Sequence, residues 1–147
     1  MPAKLTVEAV IERPVQEVFA AFTDFDDFSR ILHSAHKVVF LTDHKKGMGA
    51  KWQQESGELE NPTKAIHEIT SFNEPRSFTL VSHDVMADET MHFLFTPADG
   101  GTHVQFDMQP EFRKVWAFFA WLFLKGIIRT RMEEDLLRMK SHVEKQA

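Results

Sequence analysis

The chain has 147 residues, 43% hydrophobic and 27% charged, which is a single-domain length and excludes a disordered or fibrous polymer. It has no cysteine, which excludes a disulfide framework, a thiol nucleophile, a thiolate zinc site and an iron–sulfur cluster. The net charge of −5 argues against general nucleic-acid binding.

That charge is uneven. Residues 1–111 hold nine Lys and Arg against eighteen Asp and Glu, whereas residues 112–147 hold eight against four. Aromatic usage is also skewed, with 14 Phe, 3 Trp and no Tyr, so a phenolic general acid is excluded. A site built mainly from Phe suits an apolar ligand. The N-terminus lacks the apolar run of a signal peptide, which makes a cytoplasmic location the expectation.

Residues 4–12 alternate, with Leu5, Val7, Ala9 and Ile11 on one face, and predict a half-buried strand. Pro14 suits the first position of a helix, and Val15, Val18, Phe19 and Phe22 follow at helical spacing. A second short helix runs from Phe25 to Leu32, with Asp24 as N-cap and Phe25, Phe28, Ile31 and Leu32 as its stripe. The period then becomes two, predicting strands near 37–43, 50–57, 63–72, 77–83, 89–96 and 102–109. Turns at Lys46–Gly49, Glu60–Pro62, Asn73–Pro75 and Asp99–Gly101 separate most of them. Residues 113–145 predict a long helix with Ala117, Trp121, Leu124, Ile128, Met132, Leu136, Met139 and Val143 on its inner stripe. Glu133, Glu134, Asp135, Arg138 and Lys140 are expected on the opposite face. No linker or repeat divides residues 1–147, so one domain is expected. The fold class is α+β: a seven-stranded curved antiparallel sheet, two short helices plugging one end, and a long helix over an apolar cavity.

Four stretches resemble the START-like, or SRPBCC, superfamily and its polyketide cyclase/dehydrase-like branch. They are Ile11–Phe19, Phe22–Phe28, Phe72–Leu80, and Phe93–Pro97 with Gly101–Thr102. The resemblance spans residues 4–143 and implies the helix-grip fold and a pocket for apolar or aromatic molecules. Members of the superfamily include lipid, sterol, hormone and quinone carriers, aromatic-polyketide cyclases, and regulatory or chaperone-associated modules. Ile31 stands where many members have Trp, which would reshape one end of the cavity.

Eight histidines are present. His33 and His36 are spaced to share a helix face, but no third ligand completes a metal site, so a solvated helix end is expected, with a polar group at the cavity mouth as the other reading, and neither a metal nor a cofactor is assigned. Strand parity turns His83, His92 and His103 outward, with His92 and His103 expected as a cross-strand pair. It leaves His67 undecided. Trp52, Gln54 and Ser56 share a face; if Trp52 faces the cavity, Gln54 is the inward polar group, able to orient a ligand carbonyl or hydroxyl, and otherwise it lies near the edge. No Ser-His-Asp set, phosphate loop or paired-carboxylate motif is visible, and no catalytic residue is assigned.

Residues 115–124 are ten apolar residues in a row, flanked by Arg113, Lys114, Lys125, Arg129 and Arg131. They are too short to span a bilayer, which takes about 20. They could line the pocket and pack under loops, form a homodimer contact, or dock on an anionic membrane as a peripheral contact.

The expected function is binding or transport of a small hydrophobic or aromatic ligand in an internal cavity. The expected wall residues are Phe22, Phe28, Trp52, Phe78, Leu80, Phe93, Phe95, Phe106, Trp121, Leu124 and Ile128, with Gln54 as polar anchor. A polyketide cyclase/dehydratase-like enzyme is the alternative, which a His67 or His83 pointing inward would favour. A third reading is a regulatory or chaperone-associated interaction module with a filled interior and an exposed apolar patch at 115–124.

Overall fold

A computed structural model describes residues 3–83 and 87–145. The elements in chain order are β1 (Leu5–Ile11), α1 (Val15–Phe22), α2 (Phe25–Leu32), β2 (Ala35–Phe40), β3 (Lys51–Gly57), β4 (Pro62–Asn73), β5 (Ser77–His83), β6 (Ala87–Ala98), β7 (Gly101–Phe112) and α3 (Val115–Lys145). The strands form one antiparallel sheet in the order β1-β7-β6-β5-β4-β3-β2, with α1, α2 and α3 on its inner face. This is the helix-grip arrangement.

Local signals act as expected at most boundaries. Pro14 sits one position earlier than expected, at the N-cap, where its carbonyl accepts from Glu17 and Val18. The Asp24 carboxylate caps α2 by accepting from the Asp27 N–H. β2 starts two residues earlier than its pattern because Ser34, at φ 56°, turns the chain sharply out of α2. It ends at Phe40, beyond which the Thr42 hydroxyl accepts from the Lys51 N–H.

One close approach fixes where α1 leaves the sheet. A Cβ on Gly101 would lie 2.1 Å from the Ile11 carbonyl oxygen, so only glycine lets β7 start against the end of β1. The buried Thr102 hydroxyl then donates to the Arg13 carbonyl at 2.8 Å. α1 and α2 therefore cover the end of the sheet that holds the β6–β7 turn.

α3 runs the length of the sheet towards that end. Its inner stripe is Ala117, Trp121, Met132, Leu136, Met139 and Val143, with Ile128 half-buried. Leu124 does not belong to it. It is 48% exposed, because residues 122–127 are all exposed and the helix stands clear of the sheet there, with the Lys125 ammonium folded back to 5.8 Å from the Trp121 ring. On the second half Glu133, Glu134 and Arg138 are exposed as expected, while Asp135 and Lys140 are half-buried at the flanks. Arg138 donates to the Ile31 and Leu32 carbonyls that end α2, and to the Asp135 carboxylate. Lys140 donates to the Val10 carbonyl at 2.6 Å. These side chains tie α3 to α2 and β1. Burial pushes the Asp135 carboxyl up to about 6 against the pull of Arg138.

Candidate functional site

The sheet's inner face divides into two regions. The first, under α1 and α2, is filled by rings. Phe93 stacks on Phe78 at 4.9 Å and on Phe106 at 4.4 Å. Phe22 meets Phe95 edge-on at 5.2 Å, and Phe28 meets Phe93 at 5.5 Å. Phe19 and Phe25 close the cluster against Phe95 and Phe78. Phe22, Phe28, Phe78, Phe93 and Phe95, expected as cavity walls, thus pack on one another. The helices' short connections bring their Phe stripes straight onto the sheet.

The second region lies beyond this plug, towards the opposite end of the sheet. Directly paired residues share a face, so the register defines a row across it. Trp52 on β3 is opposite His67 on β4, which is opposite Ser82 on β5. Ser82 is opposite Glu89 on β6, and Glu89 opposite Pro110 on β7. Gln54 adjoins the row on β3 and is buried, so it lies inside rather than near the edge. Leu80, Met91, Met108 and Phe106 form the apolar floor beside it. Trp121 and Ile128 join the same core from α3, Trp121 with its ring against Phe112 and Phe118.

Gln54, Ser82, Met91, Met108, Ala117 and Trp121 keep 4–9% exposure, while Phe19, Phe22, Phe28, Phe78 and Phe93 have none. α3 packs against β1, α2, α1 and β7, and comes nowhere near as close to β3, β4 or β5 among the described residues. α3 therefore covers the β1–β7 side of the inner face rather than the polar row.

His33 completes the site from above. It ends α2, and its ring lies 4.9 Å from that of His67 and 5.3 Å from that of Phe28. This overturns the expectation of a solvated His33–His36 helix end. His36 is exposed on β2, but both ring nitrogens of His33 are buried. Burial pushes the His33 imidazole down to about 4; the Gln54 amide beside it offsets part of that cost without closing a hydrogen bond of ordinary geometry.

His67 is also inside, only 2% exposed. Burial first, then the neighbouring His33 and His83, hold it well below the usual imidazole range. Its Nε2 lies 3.2 Å from the Ser82 hydroxyl. Trp52 stands 5.4 Å from it and stacks on Phe25 at 4.9 Å. Both imidazoles are neutral at pH 7, each carrying one donor and one acceptor nitrogen.

Six buried polar atoms in and beside this cluster have no hydrogen-bond partner from the described residues: Ser29 Oγ, both nitrogens of His33, Trp52 Nε1, Gln54 Oε1 and His67 Nδ1. An unmet buried polar group costs about 1–3 kcal/mol. Six of them at the lower figure would consume much of the roughly 5–15 kcal/mol that holds a domain together. Such a cluster requires water or a ligand to complete it.

The histidines of β5, β6 and β7 are on the outer side, as their parity predicts, though His92 and His103 do not pair. His92 faces Asp107 across the β6–β7 ladder and hydrogen-bonds the Thr79 hydroxyl at 2.8 Å. His103 faces Thr96 and lies 3.2 Å from the Glu8 carboxylate. The two fall four pairs apart in the ladder, so they never meet. His83 lies on the rim, 3.0 Å from Asp88, which also binds Arg113.

Ser82 and Glu89 were legible by parity, lying two residues from Leu80 and Met91, but an isolated polar side chain in a strand carries no signal of its own. His33 had no such signal, since its inward turn depends on how α2 ends.

Residues 2–144 match the family described as polyketide cyclase / dehydrase and lipid transport. No curated protein matches the chain by sequence. Among solved structures, the Zhui aromatase/cyclase from Streptomyces sp. R1128 is similar at a TM-score of 0.79 and 12% identity, over 99% of this chain and 96% of that one. Ara h 8.0201 is similar at 0.74 and 11%, over 97% and 98%. The di-domain aromatase/cyclase StfQ from the steffimycin biosynthetic pathway is similar at 0.74 and 9%, over 99% of this chain and 52% of that one. At these identities the likeness is one of fold.

Proposed function

The chain belongs to the polyketide cyclase / dehydrase and lipid transport family, and on that premise we propose that it holds a small hydrophobic or aromatic ligand between the sheet's inner face and α3. The observation that carries this reading is the cluster of unpartnered buried polar atoms at His33, Trp52, Gln54 and His67, set in an apolar surround. Leu80, Phe106, Met91 and Met108 supply apolar contact, with Trp121 and Ile128 joining the same core from α3. Gln54 Oε1 accepts a ligand N–H or O–H, and Trp52 Nε1 donates to a ligand oxygen. Each neutral imidazole does either. The ligand that fits is an apolar body with one or two carbonyl or hydroxyl groups.

His67 also supports a second reading. An inward, neutral imidazole beside a serine hydroxyl can accept or relay a proton once a polar substrate displaces the apolar surround that weakens it as a base. A cyclase or dehydratase-like reaction on an aromatic or polyketide substrate needs such a base, with the walls folding the chain. The two readings share one site and differ in turnover.

Residues 115–124 add a possible outer contact, with a second copy or with a membrane. No helix among the described residues is long and apolar enough to cross a bilayer.

Native mass spectrometry of the freshly purified protein, with solvent extraction of whatever is bound, tests the binding reading. A one-to-one organic adduct lost in Gln54→Leu supports it. An adduct that survives both Gln54→Leu and His67→Leu places the ligand elsewhere and overturns it. Incubating wild type and His67→Leu with the extracted molecule tests turnover.

A further inference from the structure

The two ends of the sheet–helix gap differ. α1 and α2 close one end; the other carries the β3–β4 turn, the beginning of β6, the end of β7 and the start of α3. Large apolar side chains are exposed at this open end. Val115, Trp116, Phe119, Leu122, Phe123 and Ile127 are 40–87% exposed, Phe123 the most. At 100° per residue these six fall on one face of α3, opposite the stripe of Ala117, Trp121 and Ile128. The first half of α3 is thus apolar on two faces, one inward and one facing water. Leu59, at the tip of the β3–β4 turn on the same end, is 80% exposed.

The charges on this stretch of helix have one sign, while Glu111 at the end of β7 and Asp88 at the start of β6 lie beside it. Between residues 113 and 131 there are five basic residues and no carboxylate. Arg113 and Arg131 border the face on one side, Lys114, Lys125 and Arg129 on the other. Arg113 binds Asp88 and Arg129 donates to the Thr6 carbonyl, which leaves Lys114, Lys125 and Arg131 as the exposed cations nearest the apolar face. Glu58 and Glu60 flank Leu59 on the neighbouring turn and mark the edge of the cationic region.

We propose that this outer face of α3, residues 115–127, docks the open end of the fold on an anionic lipid bilayer. Aromatic and aliphatic side chains would enter the interface while the Lys and Arg borders meet lipid headgroups, as in helices that lie in the plane of a membrane. A second copy fits less well. Laying one face on another would bring two sets of five cations together with no carboxylate in either segment to meet them. A cleft of about 640 Å³ at the β7–α3 junction opens beside the docking face, lined by Glu111, Arg113 and Lys114 as well as by Phe112, Val115 and Phe118. Resting on the ligand reading above, docking places the open end of the fold at the lipid, the source from which an apolar ligand would be drawn.

Co-sedimentation of the full chain with vesicles tests the proposal, using phosphatidylcholine alone and a 1:1 mixture with phosphatidylglycerol. Wild type is expected to sediment with the mixed vesicles at least tenfold more strongly than with the neutral ones, and less as salt rises. Phe123→Glu should abolish sedimentation. The paired variant Lys114→Gln, Arg131→Gln should weaken it about tenfold or more. All three side chains are exposed, so circular dichroism and melting should match wild type. Absence of sedimentation, equal binding to both vesicles, or a solution dimer that Phe123→Glu dissociates would overturn it. Ligand retention by Phe123→Glu, read by native mass spectrometry, separates this proposal from the ligand reading: retained ligand with lost sedimentation supports docking, and lost ligand with intact sedimentation contradicts the assigned face.

Discussion

The imidazole of His33, at the end of a helix, lies 4.9 Å from that of His67, in the middle of a strand, and burial keeps both uncharged. Chain elements 34 residues apart thus deliver two neutral rings to one spot on the inner face. The pair sets the pH response of the protein and the chemistry of its site.

The pH response follows from linkage. Unfolded, each histidine titrates near 6.5; folded, His33 titrates at about 4 and His67 well below 6.5. Between those values the unfolded chain binds protons that the folded one refuses. Stability is therefore full above pH 6.5 and falls as pH drops from 6.5 towards 4, by roughly 1 kcal/mol per pH unit for each group. Asp135 opposes this below its folded value of about 6, because there the folded state binds the proton more readily. Urea denaturation at pH 7 and pH 5 should show a loss for wild type that shrinks in His33→Phe. An unchanged pH dependence in that variant would contradict the burial of its ring nitrogens.

Gln54→Leu should separate ligand from fold. Removing an unpartnered buried carbonyl oxygen relieves a cost of about 1 kcal/mol or more, so the ligand-free variant should melt above ligand-free wild type. The same change should weaken binding of the extracted ligand about tenfold. A variant that melts lower when ligand-free would show that Gln54 holds the fold rather than the ligand.

The plug should behave as core. Phe93→Ala removes a ring sandwiched between Phe78 and Phe106 and should cost about 3–5 kcal/mol in chemical denaturation. Leu124→Ala, at an exposed position, should cost less than about 0.5 kcal/mol. Similar losses at the two positions would restore Leu124 to the inner stripe.

Gly101 and Gly100 should differ although they are neighbours. Gly100 has φ 79° with open space around it, so Ala there meets only backbone strain of about 1–2 kcal/mol. Ala at Gly101 meets the Ile11 carbonyl and must push β1 and β7 apart. Expression and thermal melting should rank wild type above Gly100→Ala, and that well above Gly101→Ala.

The strands and helices were legible because their hydrophobic periods are clean. Phe78, Leu80, Phe93, Phe95 and Phe106 alternate along their strands, and that parity put them on the inner face. Parity gives a face and no depth, so it could not tell a ring that lines a gap from one that packs on another ring. Phe22 and Phe28 against Phe93 and Phe95 are the example. His67 was undecided because Ala65 and Ile69 on its own face are balanced by Ile66 and Phe72 on the other; its pairing with Trp52 and Ser82 decides it. Leu124 followed helical spacing, but spacing cannot report where a helix stands clear of the sheet. His33 depended on a tertiary event at the end of α2, beyond the reach of any local pattern.

The central claim is that a ligand completes the polar cluster on the inner face. Nitrogen-15 NMR of the imidazole rings tests it most directly, during titration with the molecule extracted from the protein or, if none is extracted, with 2-naphthol. The ring nitrogens of His33 and His67 should shift together and saturate at one equivalent, while those of exposed His36 stay in place. Shifts confined to surface histidines, or none at all across the titration, would contradict it.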